Sequence, residues 1–171
     1  VESLCSGPYP YYLKQRILGL QGHLCNEDAA QFAVTLAENG ALLPGTLGIG
    51  HTRWATHGKP SDENSHPHRS QSGKFAVVHN GIIENYVRLK QELMEDGVEF
   101  LSETDTEVVA HLLEKYYDGD FFAAVRETVA RLEGSYALGI LCADCPSELI
   151  AVRNASPLII GLADIGNFIA S

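Results

Sequence analysis

The chain has 171 residues, enough for one domain with its own core and no disulfide staples. Twelve Lys and Arg stand against 22 Asp and Glu, and the formal net charge of −10 disfavours both a phosphate-binding face and polybasic membrane adsorption. No run approaches the ~20 apolar residues of a membrane span, the head lacks the order of a signal peptide, and four cysteines (Cys5, Cys25, Cys142, Cys145) are too few for a disulfide framework.

The expectation is a cytoplasmic protein with neither nucleic acid nor membrane as partner. Asn154-Ala155-Ser156 is a formal glycosylation sequon that means nothing without a secretion signal. In chain order, Ser6-Gly7-Pro8-Tyr9-Pro10 is turn chemistry, and 13–20 reads as a short helix that Gly19 and Gly22 end. Asp28 caps a second helix over 29–38, which Asn39-Gly40 stops, and Leu43-Pro44-Gly45 turns the chain. Residues 46–51 read as a buried strand. The Gly, Pro, Ser, Asp and Asn content of 58–72 is a long loop, a kind that in compact domains is usually functional. A short strand over 75–78 runs into Asn80-Gly81, a hairpin signal.

Asn85 then caps a helix to Glu95, with Val87, Leu89, Leu93 and Met94 on its apolar side, and Asp96-Gly97 ends it. Residues 98–101 read as a short strand. The spacing Val108, Val109, Leu112, Leu113, Tyr116 is helical, as is 120–132 with Phe121, Val125, Val129 and Leu132 on one face. Strands follow over 136–142, 149–153, 158–162 and from Phe168, joined by short turns as an antiparallel meander. The sum is a layered α+β domain, helices packed on antiparallel sheet. The last strand is cut at Ser171, so the chain reads as unfinished there.

Four groups of residues could carry chemistry. In His51-Thr52-Arg53-Trp54-Ala55-Thr56-His57-Gly58 a strand runs into an Arg, whose planar fork suits a carboxylate; the bland alternative is a surface Arg beside a core Trp. In His79-Asn80-Gly81 an amide and a Gly N–H arrive together and could hold an oxyanion; the alternative is a hairpin turn. In Glu103-Thr104-Asp105-Thr106-Glu107 a carboxylate could bind a ligand ammonium; the alternative is ordinary helix capping. The imidazoles His51, His57, His66, His68 and His79 have no zinc-like second pair, and Cys142-x-x-Cys145 is a lone pair whose Pro146 suits a turn. No Gly-rich phosphate loop occurs. Neither metal nor cofactor is expected.

The segments 51–58, Asn64-Ser65-His66-Pro67-His68, Val78-His79-Asn80-Gly81-Ile82-Ile83-Glu84-Asn85, 102–107, Ser156-Pro157-Leu158-Ile159-Ile160-Gly161 and 167–171 occur in this order. Together they closely resemble the glutaminase domain of the glutamine–fructose-6-phosphate aminotransferase (glucosamine-6-phosphate synthase) family, within the class II glutamine amidotransferases. The resemblance implies a four-layer αββα sandwich of the N-terminal-nucleophile hydrolase type. It also implies that Arg53 binds the glutamine α-carboxylate and Asp105 the α-ammonium. Trp54, Thr56, His57 and His66 would line or adjoin the pocket. Asn80, through its side chain, and Gly81, through its N–H, would form the oxyanion hole. Glutamine would be hydrolysed through a thioester. The ammonia would pass to a sugar-phosphate isomerase domain of a longer, homodimeric enzyme.

In that family the nucleophile is a Cys at the mature N-terminus, followed by Gly-Ile, with its own α-amino group as base. Here the chain begins Val1-Glu2-Ser3-Leu4-Cys5-Ser6-Gly7. Residues 1–32 are therefore expected to be a head that does not match the family, and 33–171 a partial glutaminase domain, truncated at both ends. The nucleophile stays unassigned, with Cys5 as its candidate. The alternative is an inactive module that at most binds glutamine.

Overall fold

Alternation of buried side chains organises the longest strand. The computed structural model describes residues 47–51, 61, 63–164 and 166–171, and the backbone of 13–15 and 22–24. Two short strands, β1 (Leu13–Gln15) and β2 (Gly22–Leu24), pair antiparallel, so 13–15 is strand where the spacing predicts helix. The expected helix over 29–38 lies outside the described residues.

The main sheet has the order β3-β4-β5-β6, all antiparallel: β3 (His68–Arg69), β4 (Phe75–Ile83), β5 (Gly134–Cys142) and β6 (Leu149–Asn154). On β4, Phe75, Val77, His79 and Ile83 are buried on one face, the period-two pattern of a half-covered strand. Their partners Cys142, Ile140 and Leu138 on β5 point the same way. Three helices cover that face: α1 (Tyr86–Glu95), α2 (Glu107–Tyr116) and α3 (Phe121–Val129). Leu89 and Leu93 from α1, Val108, Val109, Leu112 and Leu113 from α2, and Phe121 and Val125 from α3 close one core with the strands.

A second hairpin, β7 (Ile159–Ala163) with β8 (Gly166–Ala170), lies against the opposite face. A Cβ on Gly139 of β5 would meet Ile169 at 3.4 Å and Ile49 at 3.9 Å, so the hairpin and the segment around Ile49 both rest on the middle of the main sheet. Because β6 and β7 do not pair, the last four strands form two sheets and not one meander.

Three further expectations change. Of 46–51, only Ile49 is a bridge position, Thr46 lying outside the described residues. Val87 and Met94 are 53% and 56% exposed; α1 buries the narrower stripe of Leu89 and Leu93. Residues 98–101 are not a strand, because their amides find other partners. Val98 donates to Leu93 O, Glu99 to the Gln71 side chain and Leu101 to Glu107.

Candidate functional site

Asn80-Gly81 makes no hairpin. β4 runs straight through it, paired with β5 from Phe75↔Cys142 to Ile83↔Gly134. The Asn80 side chain lies on the face away from the helices. Its Oδ1 is 2.7 Å from His51 Nε2, and its Nδ2 donates to Ser171 O at 3.1 Å. A cavity of about 300 Å³ opens there, lined by Ile49, His51, Asn80, Gly139, Leu158, Ile169 and Ser171 among others. Gly81 has φ +122°, and a Cβ there would fall 2.0 Å from Ser135 O. Only glycine fits beside Asn80.

Residues 101–107 form a buried polar hub at the start of α2. Asp105 is buried, and its Oδ2 accepts the Ile83 amide at 2.8 Å, which ties it to the end of β4. Its Oδ1 is 3.9 Å from His79 Nδ1, and that nitrogen is hydrogen-bonded to Thr106 Oγ1 at 2.9 Å. Glu107 accepts the amides of Leu101 and Ser102 and the Ser102 hydroxyl. Burial alone would push the Glu107 carboxyl up. Hydrogen bonds from His111, Leu101 and Ser102 outweigh it and hold the group at about 2, against an ordinary 4.5. Buried polar groups tied by several hydrogen bonds hold their geometry. This hub fixes where Asp105 sits.

Four of the five imidazoles come together. His66 packs 4.3 Å from His51, 4.8 Å from His68 and 6.5 Å from His79, ring centre to ring centre. His68 Nε2 is bonded to Thr104 Oγ1 at 3.0 Å. The rings meet tilted or edge-on, and His68 and His79 bond to threonine hydroxyls. Among the described residues no group of three His, Cys, Asp or Glu is placed to hold a metal. Cys142, at the end of β5, and Cys145, in the turn after it, are free thiols, with Cys145 N donating to Cys142 O at 3.1 Å. Partial burial, then the neighbouring Cys142, pushes the Cys145 thiol up.

Of the expected site residues, the structure brings Asn80 and Gly81 side by side and ties Asp105 to the same strand. His66 touches the ring that contacts Asn80. Neither Asp105 nor His66 lines the Asn80 cavity among the described residues. Arg53, Trp54, Thr56, His57 and Cys5 lie outside the described residues. Sequence reasoning missed three things: the His51 contact with Asn80, the Asn64 side chain clasping Glu103 N–H at 2.8 Å, and the bracing role of Glu107. A buried Asn and a Glu at a helix start were visible as letters, but their partners are 39 and 5 residues away along the chain.

An antiparallel sheet backed by helices, faced by a second hairpin and carrying Asn-Gly on an inner strand is the architecture of a glutamine amidotransferase. The family model for the glutamine amidotransferase domain matches residues 51–171, and the chain belongs to that family. Among curated relatives, the isomerizing glutamine–fructose-6-phosphate aminotransferase of Caldanaerobacter subterraneus subsp. tengcongensis is 64% identical over 129 residues, 75% of this chain and 21% of the relative. Its counterpart in Aquifex aeolicus is 60% identical over 124 residues, 72% of this chain and 21% of the relative. The chain thus spans about a fifth of the length of these relatives. Among solved structures, the glutamine phosphoribosylpyrophosphate amidotransferase from B. subtilis, complexed with ADP and GMP, is similar with a TM-score of 0.68 and 26% identity. That match covers 98% of this chain and 36% of the other. A structure described as the allosteric regulatory enzyme of purine biosynthesis gives 0.71 and 28%, covering 97% and 36%. The fold is α+β, an αββα sandwich of the N-terminal-nucleophile hydrolase type.

Proposed function

We propose that residues 33–171 are a glutaminase unit that binds glutamine and hydrolyses its side-chain amide, supplying ammonia for glucosamine 6-phosphate synthesis from fructose 6-phosphate. The observation that carries the reading is Asn80. Its side chain reaches a cavity between the layers, next to a glycine that no other residue can replace. The match to isomerizing glutamine–fructose-6-phosphate aminotransferases supports the particular substrate.

In this reading a thiolate attacks the amide carbon. The oxygen that becomes negative takes hydrogen bonds from Asn80 Nδ2 and Gly81 N–H. Ammonia leaves, and water releases glutamate from the thioester. Arg53 holds the α-carboxylate and Asp105 the α-ammonium, while Trp54, Thr56, His57 and His66 shape the pocket. Cys5 is the candidate nucleophile. The ammonia passes to a sugar-phosphate isomerase domain of a longer, homodimeric, cytoplasmic enzyme.

The test is glutamate release from glutamine by the purified chain. Asn80→Ala should lower kcat by about 10²–10³-fold, and Cys5→Ala should abolish turnover. Turnover unchanged in Asn80→Ala removes the oxyanion assignment. Glutamine binding that survives Arg53→Ala and Asp105→Ala removes the substrate site. Binding without turnover in the wild type leaves the inactive module.

A further inference from the structure

We propose that His51 is a positioning residue that fixes the Asn80 amide, holding its oxygen so that its nitrogen faces the cavity. The inference rests on the glutaminase reading above and deepens it.

An Asn amide can be turned either way, and only one way serves an oxyanion hole. The oxygen can stabilise nothing negative; the nitrogen, with two N–H donors, can. The neighbours of Asn80 decide between the two. Asn80 Nδ2 is 3.1 Å from Ser171 O, a main-chain oxygen that only accepts. The nitrogen must therefore point to Ser171, and the oxygen to His51. His51 Nε2, 2.7 Å from Asn80 Oδ1, must then be the donor. That requires the proton on Nε2, a requirement met by the neutral Nε2–H tautomer and by the imidazolium alike. With the oxygen so engaged, one N–H serves Ser171 and the second is available to a substrate oxygen.

The ring itself is held. His66 packs against it at 4.3 Å with the planes tilted by 45°. His51 and Asn80 come from separate segments, 29 residues apart, and both line the same cavity. His51 Nε2 meets the site at Asn80 Oδ1, and its effect on chemistry runs through the amide it orients.

The test combines spectra of the wild-type chain with three variants. Long-range ¹H–¹⁵N spectra of the labelled chain should show the His51 proton on Nε2, exchanging slowly, and Asn80→Ala should make it exchange fast. With glutamine as substrate, His51→Leu should lower kcat about tenfold or more, short of the ~10²–10³-fold loss expected when a donor is removed outright. KM should stay within about twofold. His51→Gln, which carries an amide donor near the same place, should recover most of the loss. A ring protonated on Nδ1 alone, a His51→Leu defect confined to KM, or a His51→Gln variant no better than His51→Leu overturns the proposal. If the wild type releases no glutamate, the glutaminase reading fails, and the tautomer and exchange readouts still decide the role of His51. A His51→Leu variant that does not fold leaves the wild-type spectra and His51→Gln to decide it.

Discussion

A side chain at position 81 has no room. Gly81 and Gly134 both take positive φ, +122° and +125°, and their strands approach so closely that a Cβ on Gly81 would lie 2.0 Å from Ser135 O and one on Gly134 2.2 Å from Ile82 O. Two effects then add, the backbone strain of an L-residue at positive φ and a clash with main chain that cannot swing away. Gly119 has φ +112° with nothing within 4 Å, so it carries the first effect alone. Gly119→Ala should cost about 1 kcal/mol and Gly81→Ala at least about twice that. Urea midpoints at constant slope would measure both. A Gly81→Ala loss no larger than that of Gly119→Ala would mean that the strands can part there. The Asn-Gly dipeptide is itself a lesson in legibility. Locally it spells a hairpin. The structure spends the glycine on a close crossing with a strand that arrives much later in the sequence.

At the scale of elements, the start of α2 is where charge matters most. Glu107 is held at about 2 in the folded chain, below its ordinary 4.5. A depressed carboxyl stabilises the fold above its unfolded value and loses that stabilisation as the pH falls through its folded value. The window is therefore about pH 4.5 down to about 2, and the effect is on the order of 3 kcal/mol. Glu107→Gln should lower stability near neutrality by about 2–3 kcal/mol and flatten its pH dependence across that window. Urea titrations of both proteins at several pH values would show it, and parallel curves would refute it. Two helices were legible, because α2 and α3 write their buried faces in threes and fours. In α1 the apolar letters overstate the face, since Val87 and Met94 sit beside the buried stripe and remain exposed. Residues 98–101 have strand-like letters, but their amides bond to a helix end and to side chains.

Across the whole molecule, the order of the motifs made the family readable where no single motif did. The family's motif segments are short and spelled out, whereas their supports are not. Asn64, Ser102 and His51 act through partners that no spacing rule reveals. The exposed Ile159, Ile160, Leu162 and Phe168 of the β7–β8 hairpin likewise escaped a reading that placed those strands in a meander. The connection between β4 and β5 carries a consequence for time. These strands are neighbours in the sheet, yet residues 84–133, with all three described helices, lie between them. Their ladder cannot begin until that excursion closes, and closure costs chain entropy before any contact repays it. The end at Ile83↔Gly134 closes the shortest loop. There Glu84 N–H meets Glu133 O at 2.8 Å, and Asn85 bonds to Arg131 O and Glu133 N–H. Asn85→Ala should therefore slow refolding. Phe75→Leu, at the far end of the ladder, should mainly speed unfolding. Stopped-flow traces of the two variants would separate them, and equal effects on both limbs would refute the order. The rate at which this chain finds its fold would then be set at one end of one ladder, three residues from the Asn80 amide proposed for the oxyanion hole.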